Sequence, residues 1–189
     1  MAIINLNLKI LHDIAIGCST DINRSDAIKG ILVEDRQTNS GQTFRFYTTT
    51  NGQVCLRQIE QIPKKELEKS IIIDSRDINK KCKAEQMPFE FISEDTAIVN
   101  KYYGILKLIN EKFPDNVDNI LETGHDKPTK FLLFRAENME IIEKFLDTTK
   151  DIKSYGEIYY RSLSAFQNVV YFEKGLKTVA ILGKGLKEQ

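Results

Sequence analysis

The sequence predicts an α+β fold: an N-terminal antiparallel β-sheet, sandwich-like, followed by a smaller helix-on-sheet layer. Three observations predict it. Apolar residues alternate with polar ones through the first third of the chain, with turn dipeptides between the runs. Past Pro88 the apolar spacing lengthens to that of a helix, and the final third returns to a strand, helix, strand, strand order.

The elements follow in order. Ile4, Leu6, Leu8 and Ile10 alternate with Asn5, Asn7 and Lys9, which predicts a strand over 4–10 with one face on a core. Strands are expected at 28–36, 42–49 and 53–60. Thr38-Asn39-Ser40-Gly41 and Asn51-Gly52 supply the turns, the second being a dipeptide that tolerates the positive φ of a tight hairpin. From Ile62 to Pro88 charge dominates, with one short strand at 71–74, and Phe89–Ile92 reads as another strand.

Ser93 followed by Glu94 and Asp95 has the form of an N-cap with an acidic first turn. Ile98, Tyr102, Ile105, Ile109 and Phe113 continue at helical spacing up to Pro114, which predicts a helix over 94–113. A loop region containing Gly124 and Pro128 leads to a strand at 131–135. A helix over 138–149, with Ile141, Ile142, Phe145 and Leu146 inward, then precedes strands at 155–162, 167–173 and 177–182. The last hairpin is expected to turn on Gly175 with a bulge. The chain divides into a β-rich region, 1–92, and an α+β region, 93–189, either as separate domains or as one continuous domain.

With 189 residues, 41% of them hydrophobic, the chain can bury a substantial core; its 27 basic and 27 acidic side chains cancel. No apolar run reaches the roughly 18–20 residues of a membrane-spanning helix. The first residues lack the basic start and unbroken apolar stretch of a secretion signal. With three cysteines at wide spacing, Cys18, Cys55 and Cys82, this predicts a cytoplasmic protein, incorporation into a secreted or viral particle being left open. Lysine outnumbers arginine, and isoleucine is abundant, a codon bias of AT-rich bacterial or phage genomes.

Catalytic signatures are sparse. The Gly183-Lys184 step has no helix after it to hold a phosphate, and no GxGxxG occurs, so no nucleotide cofactor is expected. His12 and His125 have no second ligand at metal-binding spacing, so no metal is expected either. A nucleophilic site needs a thiol or hydroxyl beside an oriented base; the one assembly the sequence offers is Cys18, His125 and Asp126, with Asp13 as the other orienter. That set defines the alternative of a small cytoplasmic hydrolase or transferase with a Cys/His loop site. A neutral chain whose basic residues are mixed with acids argues against nucleic acid as the partner and leaves a nucleic-acid-binding accessory protein as a second alternative.

The aromatic doublets Tyr159-Tyr160 and Tyr171-Phe172 fall on expected strands, so each places one ring on either face of a sheet. Tyr159, Val169, Tyr171 and Val179 are accordingly the expected interface, with a protein partner or a second copy of the chain. The function expected is a non-enzymatic structural or assembly component of a bacterial or phage multiprotein complex, such as a phage-tail-like or secretion apparatus.

Overall fold

The fold is that of a computed structural model, in which residues 3–78, 85–93, 96–121, 136–146, 157–164 and 167–184 are described. It is α+β, with antiparallel sheets and few helices.

The first expected strand is split. Strand β1 spans Ile3–Leu6 and helix α1 spans Leu8–Ile14. Asn7 divides them: its side chain accepts from the Ile10 amide at 3.2 Å, an N-cap that turns the chain into a helix. Leu8, Leu11 and Ile14 then bury one helical face. The alternation of Leu8 and Ile10 with Lys9 fits a strand equally well, and the cap decides against it.

Strands β2 (Gly30–Gln37), β3 (Thr43–Thr50) and β4 (Val54–Ile62) form the expected antiparallel meander. Ile28 lies ahead of it in a single 3-10 turn, Asp26–Lys29. Gly52 closes the β3–β4 hairpin at φ +89°, a conformation that glycine adopts freely. Strand β5 (Ile71–Asp74) adds to the β2 edge.

The helix expected over 94–113 is instead a hairpin. After β6 (Met87–Ser93), strands β7 (Ala97–Asn100) and β8 (Gly104–Lys107) pair with Ile98 opposite Leu106. The Asn100 carboxamide oxygen accepts from the Tyr102 and Tyr103 amides at 2.7 and 2.9 Å, and Gly104 takes φ +103°. An Asx turn followed by a left-handed glycine reverses the chain where a helix would continue.

Helix α2 (Asn116–Leu121) lies ahead of the loop region expected around Gly124 and Pro128, and α3 (Ala136–Leu146) matches the second expected helix. The expected strand at 131–135 lies outside the described residues. Strands β9 (Glu157–Ser164), β10 (Gln167–Lys174) and β11 (Lys177–Lys184) close the chain as a second meander. Lys174 pairs with Lys177 across a two-residue loop. Gly175, at φ +60°, occupies its first position, so the turn needs no bulge.

The two helix-plus-meander units meet edge to edge. β4 pairs with β11, Leu56 opposite Val179, giving a seven-stranded sheet in the order β5-β2-β3-β4-β11-β10-β9. A four-stranded sheet, β1-β6-β7-β8, adjoins it through an antiparallel bridge between Ile73 and Leu108. Both sheets draw strands from either side of residue 92.

Alternation sorts the large sheet's side chains onto two covered faces. Inward, Val33, Leu56, Val170, Phe172, Val179 and Ile181 pack in one cluster with α1 and with Ile142, Phe145 and Leu146 of α3. Each fully buried aliphatic or aromatic side chain there contributes about 1.5–3 kcal/mol. Two lysines hold α3 down: Lys174 and Lys177 donate to the Leu146 and Phe145 carbonyls at 2.8 and 2.7 Å, cations at the negative helix end. Outward, Cys55, Ile72, Val169 and Ala180 pack against Phe113 and against Val117, Ile120 and Leu121 of α2.

This corrects the expected interface at two positions. Val169 and Val179 are fully buried on opposite faces of the sheet, Val169 beneath α2 and Val179 beneath α3. The second apolar face is covered by the chain's own helix. Tyr159 and Tyr171 stand opposite each other in the β9–β10 register, at the end of the sheet order.

Candidate functional site

The described member of the Cys/His/Asp set, Cys18, is held as a buried thiol. Cys18 is buried, its thiol donates to the Gly30 carbonyl at 3.4 Å, and burial pushes its pKa up to about 12. At neutral pH it holds essentially no thiolate, the species that attacks. Cys55 is likewise buried, pushed up to about 11, and donates to the Thr50 hydroxyl at 3.3 Å. His125 and Asp126 lie outside the described residues. Asp13 is engaged on its own helix, 3.4 Å from His12 Nδ1 and 3.7 Å from Lys9 Nζ. Among the described residues no group of three or more metal-ligating side chains converges, and no helix is long and apolar enough to cross a membrane.

The structure instead opens a cleft of about 360 Å³ on the outer face of the large sheet, between the sheet and the segment leading from β8 into α2. The Ile109 amide donates to the Ile72 carbonyl at 2.8 Å and draws that segment onto β5. Leu32, Ile72, Ile109, Phe113 and Val117 give the cleft apolar walls. Arg57, Thr48 and Asp118 make one polar end, and Ser70, Asn110, Glu111, Lys112 and Asp115 line the rest, so charges of both signs border the cleft.

Strand alternation builds that polar end. Arg57 shares the outward face of β4 with Cys55, and Arg36 shares the outward face of β2 with Glu34. Arg57 Nε donates to Thr48 Oγ1 at 3.2 Å, and its Nη2 donates to one oxygen of Asp118. Arg36 Nη2 donates to the other Asp118 oxygen at 2.9 Å and to Glu34. Both guanidinia lie over Phe46, at 4.7 Å for Arg36 and 5.5 Å for Arg57, in cation–π contact. Burial alone would raise the Asp118 pKa; Arg57 first, then Arg36, outweigh it and hold the carboxyl below its ordinary range. The Arg57 side chain is 8% exposed, whereas that of Asp118 is 47% exposed.

A second arginine cluster occupies the inner face and is closed. Arg45 is fully buried; its Nε and Nη2 donate to the two Asp35 oxygens at 2.7 and 2.8 Å, Nη2 also to Glu66 at 3.1 Å, and Nη1 to the Asn5 carbonyl. Asp35 accepts further bonds from the Glu66 and Leu67 amides. Glu66 accepts from the Asn5 amide and side chain at 2.7 and 2.6 Å. The cluster ties β1 and the 63–67 segment to the sheet, and its hydrogen bonds run to protein groups, with no side open to a ligand.

The arginines and Asp118 are absent from the sequence-derived candidates. A usable signal was present in Val117, Ile120 and Leu121, whose i, i+3, i+4 spacing after Pro114 marks a short helix with Asp118 beside its apolar face.

Neither a family model nor a curated relative matches the sequence. Its fold matches solved sliding clamps, the beta subunit of DNA polymerase III. The clamp from Pseudomonas aeruginosa, solved bound to griselimycin, is 10% identical with a TM-score of 0.61, over 97% of this chain and 65% of that one. The Caulobacter crescentus beta sliding clamp is 12% identical with a TM-score of 0.53, over 100% of this chain and 52% of that one. The clamp from Bartonella birtlesii, also bound to griselimycin, is 14% identical with a TM-score of 0.52, over 99% and 52%. The chain therefore has a sliding-clamp-like fold, and spans between about half and two thirds of the length of those clamps.

Proposed function

We propose that this chain is a clamp-type scaffold, a component of a bacterial multiprotein complex that works at DNA and acts by noncovalent contact. The observation that carries the reading is the seam between β4 and β11, which joins two helix-plus-meander units into one sheet that follows the clamp fold over nearly the whole chain. The expected tail-like or secretion setting gives way, because the matched structures named above are clamps.

Charge favours proteins as the direct partners. Helix α3 carries Glu137, Glu140 and Glu143 against Lys144, and α1 carries Lys9 and His12 against Asp13, so neither offers a basic track to a phosphate backbone. The outer cleft, bordered by apolar side chains and by charges of both signs, supports a polar protein contact. The Tyr159–Tyr171 pair at the end of the large sheet is a second proposed contact.

Cross-linking a tagged chain in the bacterium that encodes it, and identifying what it captures, tests the reading. Subunits of a DNA polymerase or repair enzyme are expected. Recovery of only tail or secretion subunits, or catalytic turnover by the purified chain, would overturn it. Tyr171→Asp is expected to weaken the captured contact at least about tenfold, equivalent to about 1.4 kcal/mol, in a binding titration with the folded variant.

A further inference from the structure

We propose that Arg57, which lines the outer cleft, and Arg36, which meets it across Asp118, form a carboxylate-binding subsite filled in the free chain by Asp118. A partner segment presenting a carboxylate beside an apolar side chain takes Asp118's place. This deepens the protein-contact reading of the same cleft and rests on it.

The argument begins with an imbalance. The Arg57 side chain is more than nine-tenths buried, and its counter-ion is a half-exposed carboxylate on a six-residue helix. A buried guanidinium needs an anion, since leaving it unpaired is strongly unfavourable. The anion need not be Asp118. Arg57 is desolvated already, so an incoming carboxylate meets a site whose dehydration cost was met in folding. Asp118, half in water, recovers its hydration on leaving. Exchange between the two is therefore close to balanced, and small additional contacts decide it.

The geometry selects the incoming group. Asp118 offers one oxygen to each arginine, so the site is shaped for a planar, two-oxygen anion. Phe46 stacks under both guanidinia and fixes their orientation. The adjoining apolar walls of Ile72, Ile109, Phe113 and Val117 take an aromatic or branched side chain. A cleft of about 360 Å³ is at the small end for ligand pockets and suits one such side chain with its neighbouring carboxylate.

The test uses the full chain and two small probes, N-acetyl-L-phenylalanine and its neutral amide, titrated by calorimetry or by NMR shifts. The acid is expected to bind Asp118→Asn at least about tenfold more tightly than the unsubstituted protein, and the amide to bind both equally poorly. Equal affinity of the acid for the two proteins would overturn the proposal. So would an equal gain by the amide, which would mean only an enlarged apolar cavity. Should Asp118→Asn fail to fold, hydrogen exchange in the unsubstituted protein decides: the acid, not the amide, is expected to speed exchange at residues 117–121, and unchanged exchange overturns the proposal. Failure here leaves the cross-linking result standing, so the two readings fall separately.

Discussion

Arg45 and Arg57 project from neighbouring strands to opposite faces of one sheet, and their surroundings differ in a single respect that matters. Arg45 sits among acceptors that are themselves buried or fixed to backbone amides, and β1 closes over it. Arg57 sits as deep, but its carboxylate partner reaches in from a short helix with water on one side. The same ion pair is thus a clasp on the inner face and an exchangeable contact on the outer one. What separates them is the exposure of the acid, not of the base.

Removing Arg45 is expected to have the largest effect on stability. Arg45→Met leaves Asp35 buried without its cation, and a loss of about 3–5 kcal/mol is expected in urea-induced unfolding. Next in size is Gly17→Ala on the same inner face. A Cβ there would lie 2.4 Å from Thr49 Oγ1 and 2.6 Å from a Leu56 methyl, and the overpacking should cost about 1–3 kcal/mol by the same measurement.

Acidification sharpens the contrast through its slope. Burial would raise Asp35 and Glu66; the bonds to Arg45, to Asn5 and to the 66–67 amides outweigh it and hold both below their ordinary range. Their stabilisation is complete above the unfolded values near pH 4 and is lost as pH falls through the lower folded ones, so the unfolding midpoint should drop between about pH 5 and pH 2. In Arg45→Met the burial is no longer opposed by the arginine. Asp35 keeps only the Glu66 and Leu67 amides against burial, so its folded value moves up and the midpoint should fall less steeply on acidification over that range. A variant whose midpoint falls with the same slope as the parent would show that Arg45 does not hold Asp35. The smallest effect is expected from Asp118→Asn, about 1–2 kcal/mol, because the half-exposed carboxylate is screened by solvent and the buried Arg57 keeps Thr48 and the new amide oxygen as acceptors.

Local chemistry made much of the fold legible in the sequence. The meander β2–β4 followed from alternation and from turn residues at 38–41 and 51–52, and the C-terminal hairpins from the same rules. Two errors share one cause, a periodicity that fits both element types over a short stretch. Leu8 and Ile10 continue the parity of Ile4 and Leu6, and only Asn7, read as a cap, separates strand from helix. Ile98, Tyr102 and Ile105 lie at helical spacing, yet Ile98 is buried on one strand, Tyr102 is 83% exposed at the turn and Ile105 is 58% exposed on the next. Asn100 and Gly104, bracketing three residues, were the better guide. The candidate site was illegible for a different reason. Arg36, Arg57 and Asp118 come from three elements, and the strand-face rule says which way each arginine points but not that a distant carboxylate meets them.

The seam between β4 and β11 also sets an order of events during synthesis. Val54 and Ile181, partners in that seam, are separated by 127 residues, a closure among the entropically costlier ones in the chain. The N-terminal meander can pair locally as soon as it leaves the ribosome, but its β4 edge then waits, unpaired, for residues 177–184. During that wait it is a template for any extended segment nearby, including the same edge on another nascent chain. The central join of the finished sheet is thus the last to be made, and slow translation through the C-terminal third should show itself as aggregation rather than as loss of function in the molecules that complete folding.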